Sequence, residues 1–192
     1  MKHYDFAERL AYSEGIECPG ALRRRLIDSI PGAYEIQKAT KNQDRNGTDF
    51  WIHRYELEPL SVDFKHRSFC PIQRWDSDDA CIEWCSVYKA EKGEQRPRPP
   101  YEPRRQIRPG WSIDANKHTD LVIYTWPAAL GKRRFWILFF PHLCEASRRN
   151  LEAWRTLYRE EPTPNSGYWT LNVYVPRIVI AKAMRELTTG VV

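Results

Sequence analysis

DLVIYTWP at 120–127 and RRFWILFF at 133–140 are apolar almost without interruption and rich in β-branched and aromatic side chains. Runs of this kind suit interior strands covered on both faces, with AALGK as the turn between them. Interior strands need neighbours in the same sheet and helices to cover them, and the rest of the chain offers both. AYEIQKAT at 33–40 alternates apolar and polar residues, and TDFWIHRY and LSVDFKHRSF are β-branched and aromatic runs joined by ELEP. With KNQDRNG as a turn, residues 33–69 read as a three-stranded antiparallel meander.

Helical spacing flanks these strands. Phe6, Leu10 and Ala11 mark a helix over 3–14, and Leu22, Leu26, Ile27 and Ile30 mark a second over 21–30, ended by Pro31-Gly32. Leu143, Leu151, Trp154, Leu157 and Tyr158 give PHLCEASRRNLEAWRTLYREE an apolar stripe. The chain closes with a strand, YWTLNVYV, and a helix opened by proline, PRIVIAKAMREL. The expected fold class is α/β, a central mixed β-sheet with an antiparallel meander flanked by helices. At 192 residues, the expectation is a single domain over 1–192. Residues 91–110, EKGEQRPRPPYEPRRQIRPG, are so dense in Pro and Arg that they read as an exposed basic loop inserted into it.

Composition excludes several classes. Hydrophobic residues at 42%, with eight Trp, separate this chain from a disordered tail. No run approaches the roughly 20 apolar residues of a membrane span. MKHYDFAERL carries charges where a signal peptide is apolar, so a cytoplasmic protein without membrane contact is expected. Five scattered Cys make a poor disulfide framework and read as core residues. Cys81 and Cys85 with His142 and Cys144 lack the spacing of a zinc site. There is no nucleophile elbow and no Gly-rich phosphate loop. The net charge of +5 favours phosphate-rich partners.

Chemistry concentrates on GTD at 47–49 and VDFK at 62–65. Antiparallel pairing of the two strands can bring Asp49 and Asp63 to the same end of the sheet. Two carboxylates at close range repel unless a divalent cation lies between them, and hard oxygen donors suit Mg²⁺, with Mn²⁺ as substitute. Lys65, two positions after Asp63, emerges on the same strand face, where its ammonium can orient an attacking water or stabilise charge on a phosphate. The Phe64 backbone carbonyl could give the ion a further oxygen. Phosphodiester hydrolysis is the reaction these groups suit.

At these residues the chain resembles the PD-(D/E)XK nuclease superfamily, the restriction-endonuclease-like fold shared by Holliday-junction resolvases, and in particular its small phage-encoded members. The resemblance rests on GTD and VDFK, followed by His66 and Arg67, within an element order spanning about residues 21–140. It implies that Asp49 and Asp63 hold Mg²⁺, that Lys65 assists the water, and that the substrate is DNA. A phage-encoded protein would act in the host cytoplasm. Many members add a helix glutamate as a ligand, which leaves Glu14, Glu8 and Asp28 as candidates, with Glu83 as another accessory residue. Arg23, Arg24, Arg45, Arg67, Arg104 and Arg105 are candidate phosphate contacts, and Trp51 and Trp75 candidate stacking surfaces for a base. A homodimer stays open. The competing expectation is a catalytically inactive nuclease-like fold that binds DNA or a host protein and keeps its acids as structural polar groups.

Overall fold

The computed structural model describes residues 20–44, 47–66, 79–91, 94, 96–127 and 133–189. The expected helix over 3–14, with Glu8 and Glu14, lies outside them, as do Arg45, Arg67, Trp75 and the AALGK turn. The first half runs α1 (Gly20–Ser29), β1 (Ala33–Lys38), α2 (Lys41–Asp44), β2 (Phe50–Arg54), β3 (Leu57–His66), β4 (Asp79–Tyr88) and β5 (Gln106–Pro109). It continues through β6 (Leu121–Pro127), β7 (Arg133–Phe139), α3 (Phe140–Leu157), β8 (Glu160–Pro164), β9 (Trp169–Pro176) and α4 (Arg177–Thr189). The protein is α/β with a mixed sheet. The chain divides into two compact units. One is built from residues within 17–76 and 116–142, the other from residues within 77–115 and 143–192.

The first unit holds a five-stranded sheet in the order β1-β2-β3-β6-β7. β1, β2 and β3 form the expected antiparallel meander, β6 runs parallel to β3, and β7 returns antiparallel to β6. Leu22 and Leu26 of α1, with Ile30 just after it, pack on Ile36, Phe50, Ile52, Val62 and Ile123. Because strand side chains alternate, burying Phe50, Ile52, Val62 and Phe64 against α1 sends Trp51, Ser61, Asp63 and Lys65 to the opposite face. Arg23 ties α1 to the sheet, donating from Nη2 to the Ile36 carbonyl at 2.8 Å.

Two local expectations change. ELEP is not a loop: the hairpin turns on Tyr55 and Glu56 alone, with Arg54 opposite Leu57 and Glu56 in the left-handed region at φ 55. Pro59 is tolerated inside β3 because the register slips there, and Arg54 bridges the irregularity by donating to the Glu58 carbonyl from Nε and Nη2. KNQDRNG is not all turn either, since Lys41–Asp44 form one helical turn. Thr40 starts it, with its N–H and hydroxyl both donating to Gln43 Oε1 at 2.9 Å, the side-chain-to-backbone half of a capping box.

The second unit holds an antiparallel sheet in the order β5-β4-β9-β8, with Ile82, Tyr88, Leu171, Val173 and Val175 fully buried. The Pro/Arg segment is not wholly irregular: Pro103–Arg105 make a 3₁₀ turn and Gln106–Pro109 pair with β4. TLYREE likewise leaves its helix at Leu157, and Glu160–Pro164 become β8. Both strands sit at sheet edges, where a proline lacking an N–H costs no internal ladder bond and discourages further pairing. Gly110 follows β5 at a backbone crossing: its N–H donates to the Trp84 carbonyl at 2.9 Å, and a Cβ there would stand 1.9 Å from the Glu83 carbonyl oxygen. Among the described residues no helix is long and apolar enough to cross a membrane.

Candidate active site

Asp49 enters the site through its backbone. Its N–H donates to the Val62 carbonyl at 2.8 Å and its carbonyl accepts the Ala39 N–H at 2.9 Å, so the residue is fixed between the end of β1 and β3 before β2 begins. Its Oδ2 accepts the Phe64 N–H at 2.6 Å. The carboxyl is thereby turned onto β3, where it lies close enough to Asp63 to feel its charge.

Asp63 is the buried centre, with a side chain only 3% exposed. Lys65 Nζ lies 2.8 Å from its Oδ1, as the two-residue spacing on one strand face predicts. Its Oδ2 receives the ammonium of Lys117, a residue the sequence does not single out. Asp49, Asp63 and Lys65 therefore meet on the sheet face opposite α1, joined by Lys117 from the loop that precedes β6.

The electrostatics follow from this packing. Burial, and then the neighbouring Asp63 charge, push the Asp49 carboxyl up to about 7 against the weaker pull of Lys65 and the Phe64 N–H. Burial also works to raise Asp63, but the ammonium groups of Lys65 and Lys117 overcome it and hold Asp63 below the usual carboxylate range. At neutral pH Asp49 is thus close to half-protonated beside a firmly ionised Asp63.

The loop carrying Lys117 is tied to the strands at several points. Thr119 Oγ1 donates to the Gly47 carbonyl at 2.8 Å, and Asp120 Oδ2 accepts both the N–H and the hydroxyl of Ser61 at 2.8 Å. Gly47 is required by its backbone, at φ +89, and a Cβ there would also press on the flexible end of Lys117, 2.7 Å from Cε. A cleft of about 530 Å³ opens alongside, with Gln43, Thr48, Trp51 and Ser61 on one wall and Lys117–Asp120 on the other. Trp51 is thus placed where a planar base could lie.

The donor set fits a small hard cation. Two neighbouring carboxyls, one of them raised to about 7 by burial and then by the other's charge, are oxygen donors of the kind a divalent ion takes. Among the described residues no group of three or more His, Cys, Asp or Glu is placed to hold a metal ion. Of Phe64, the residue whose carbonyl is a candidate ligand, the site uses the N–H.

The other candidates have local roles. Glu83 belongs to the second unit, where its carboxylate accepts from the Ser86 hydroxyl at 2.5 Å and the Trp111 N–H at 3.4 Å, while its carbonyl accepts from Ser112 Oγ at 2.7 Å. An acid inside an apolar run needs partners, and it finds them there. Arg105 is a structural cation, its side chain 13% exposed, over the Tyr88 ring at 4.7 Å, ion-paired to Glu94 and donating to the Lys89 carbonyl at 2.7 Å. Arg104 is exposed and pairs with Glu102 at 2.6 Å. Arg23 is committed to Ile36, whereas Arg24 and Asp28 lie exposed on α1. Cys85 and Cys144 are buried thiols, and burial pushes Cys85 up to about 11, which suits the core role expected of them.

No protein-family model matches the chain, and neither does any curated protein or any solved structure.

Proposed function

We propose that this protein is a divalent-metal-dependent phosphodiesterase that hydrolyses the backbone of DNA. The observation that carries the proposal is the contact of the Asp49 and Asp63 carboxyls on a buried sheet face with Lys65 beside them. In this reading Asp49 and Asp63 hold Mg²⁺, with Mn²⁺ as substitute and the Phe64 carbonyl as a further oxygen. A cation held there supplies a lowered water pKa and neutralisation of phosphate charge. Lys65 is the more exposed of the two lysines, 29% against 10%, so its ammonium can leave Asp63 Oδ1 for the attacking water or the phosphate oxygens as charge develops on them. Trp51 in the neighbouring cleft offers a face for a base, and the net charge of +5 favours the polyanion. The resemblance of GTD and VDFK to PD-(D/E)XK nucleases points the same way, and with it a cytoplasmic setting, the host's if the protein is phage-encoded.

The test uses the full chain with Mg²⁺ or Mn²⁺ on linear, supercoiled, single-stranded and branched DNA, with EDTA as control. Wild type should cut at least one form, while Asp49→Asn and Lys65→Ala should bind that DNA and leave it intact. Cleavage by Asp49→Asn at the wild-type rate would refute the assignment.

One observation favours a second reading. Asp63 already carries two ammonium groups, so the two acids and two lysines can form a charge-balanced cluster with no ion. In that case the protein is a nuclease-like module that binds DNA or a host protein and uses the cluster to fix β3 against the 117–120 loop. Titration with Mn²⁺ separates the two, because the binding module has no use for the metal.

A further inference from the structure

We propose that Lys117 is the resident counter-cation of the Asp49–Asp63 pair, occupying Asp63 in place of a divalent ion and giving up that oxygen when an ion binds. The inference rests on the metal-dependent reading of the site and concerns how the metal is admitted to it.

Asp63 cannot stand alone. With 3% of its side chain exposed, its charge requires a cation whether or not metal is present. Lys65 already bonds Oδ1 and Lys117 Oδ2, so an ion seated on either oxygen would lie against an ammonium group, and the repulsion favours displacing one of them. The two lysines are not equivalent. Lys65 is delivered by the pleat of the same strand, two residues from Asp63, so its ammonium stays near that carboxylate even when it turns towards water or phosphate. Lys117 arrives from a loop 54 positions away in sequence and forms part of the wall of the 530 Å³ cleft, so its four-carbon stem has space to swing into.

The seat of Lys117 is also specifically accommodated. Gly47 leaves room for this pose of Lys117, since a Cβ there would stand 2.7 Å from Cε and 2.9 Å from Nζ and push the lysine aside, and the Thr119 hydroxyl bond to the Gly47 carbonyl keeps the two segments together. Charge balance gives the direction of the exchange. With both acids ionised, two carboxylates and two ammonium groups sum to zero, so a divalent ion that displaces the Asp49 proton would bring the cluster to +2 in a poorly solvated place. Release of Lys117 into the cleft halves that excess and brings its ammonium to where a DNA phosphate can pair with it. Metal entry and phosphate capture are then two ends of one movement of Lys117.

The experiment measures Mn²⁺ affinity calorimetrically, without DNA, for the full-length wild type and for Lys117→Gln, Lys117→Arg and Asp63→Asn, each checked for folding by circular dichroism. Lys117→Gln should bind Mn²⁺ about tenfold or more tighter than wild type, the size of effect a removed neighbouring charge produces. Lys117→Arg should stay near wild type, and Asp63→Asn should lose binding. Equal affinity in wild type and Lys117→Gln, with loss in Asp63→Asn, would overturn the inference and leave the metal-dependent reading standing. Absence of binding in every variant would remove that reading and the inference with it. A measurement on unmutated protein guards against a variant that fails to fold: on titration with Mg²⁺ the lysine ¹⁵Nζ resonance of Lys117 should shift more than that of Lys65, and the reverse order would overturn the proposal.

Discussion

Asp49→Asn should make this protein more stable, and increasingly so as the pH rises. The amide reproduces the protonated carboxyl: its oxygen can accept the Phe64 N–H as Oδ2 does at 2.6 Å, and its NH₂ can donate towards Asp63 as the protonated carboxyl can. What it removes is the charge. In the folded chain Asp49 is raised from 3.8 to about 7, first by burial and then by Asp63, so between those values the folded state holds a proton that the unfolded chain has released. A group of this sign contributes stability that is fully present below its unfolded value and is lost as pH rises through its folded value.

From pH 5 to pH 8 wild type gives up about two pH units of that contribution, roughly 3 kcal/mol at 1.36 kcal/mol each. Asp63 adds no slope in this window, because it is held below the ordinary carboxylate range and is ionised throughout in both states. All other titratable groups are common to both proteins and cancel in the difference. Urea unfolding of wild type and Asp49→Asn in EDTA, at half-unit steps across pH 5 to 8, gives that difference directly. The stability advantage of the variant should grow by roughly 3 kcal/mol across the window. A difference that is flat with pH, or an advantage that grows towards acid, would refute the account of Asp49 as a carboxyl kept reluctantly ionised beside a second acid.

Asp63→Asn should behave oppositely, losing about 3–5 kcal/mol because Lys65 and Lys117 are left facing a neutral amide; a denaturation midpoint unchanged from wild type would count against the buried cluster. Gly110→Ala should prevent folding or cost at least about 3 kcal/mol, since its Cβ would meet the Glu83 carbonyl oxygen at 1.9 Å and backbone cannot yield cheaply; wild-type-like melting would show that this crossing is looser than described. DNA affinity should fall steeply with salt, in proportion to the phosphates neutralised, and binding insensitive to ionic strength would favour a protein partner.

The sequence is informative about the site where chemistry and strand period coincide. Asp63 and Lys65 share a face because they are two residues apart on one strand, and Asp49 joins them because the meander pairs β2 with β3, a consequence of alternation legible in FWIHR and LSVDFK. Lys117 is invisible to the same reasoning. It lies in NKHTD, a loop without period, and reaches Asp63 only because β6 inserts beside β3 in parallel, a choice of neighbour that no local pattern encodes. The edge strands at 106–109 and 160–164 are hidden for another reason. Proline content argues against a strand in general, and only the position at a sheet edge, a property of the assembled sheet, removes the objection.

Placement at Asp49 and Asp63 also costs stability that a purely structural cluster would have no reason to give up. An asparagine at 49 would satisfy Phe64 and Asp63 equally well without a buried charge, and a single lysine would suffice for Asp63. The chain instead carries two acids in contact and two cations gathered around one of them, with Gly47 held at a positive φ to admit the second. Each of these features works against folding or leaves it unimproved, and each makes sense if the pair must accept further positive charge and release Lys117 when it does. That asymmetry is the physical reason for preferring the metal-dependent reading over the charge-balanced module, and the growth of the Asp49→Asn advantage with pH measures how large it is.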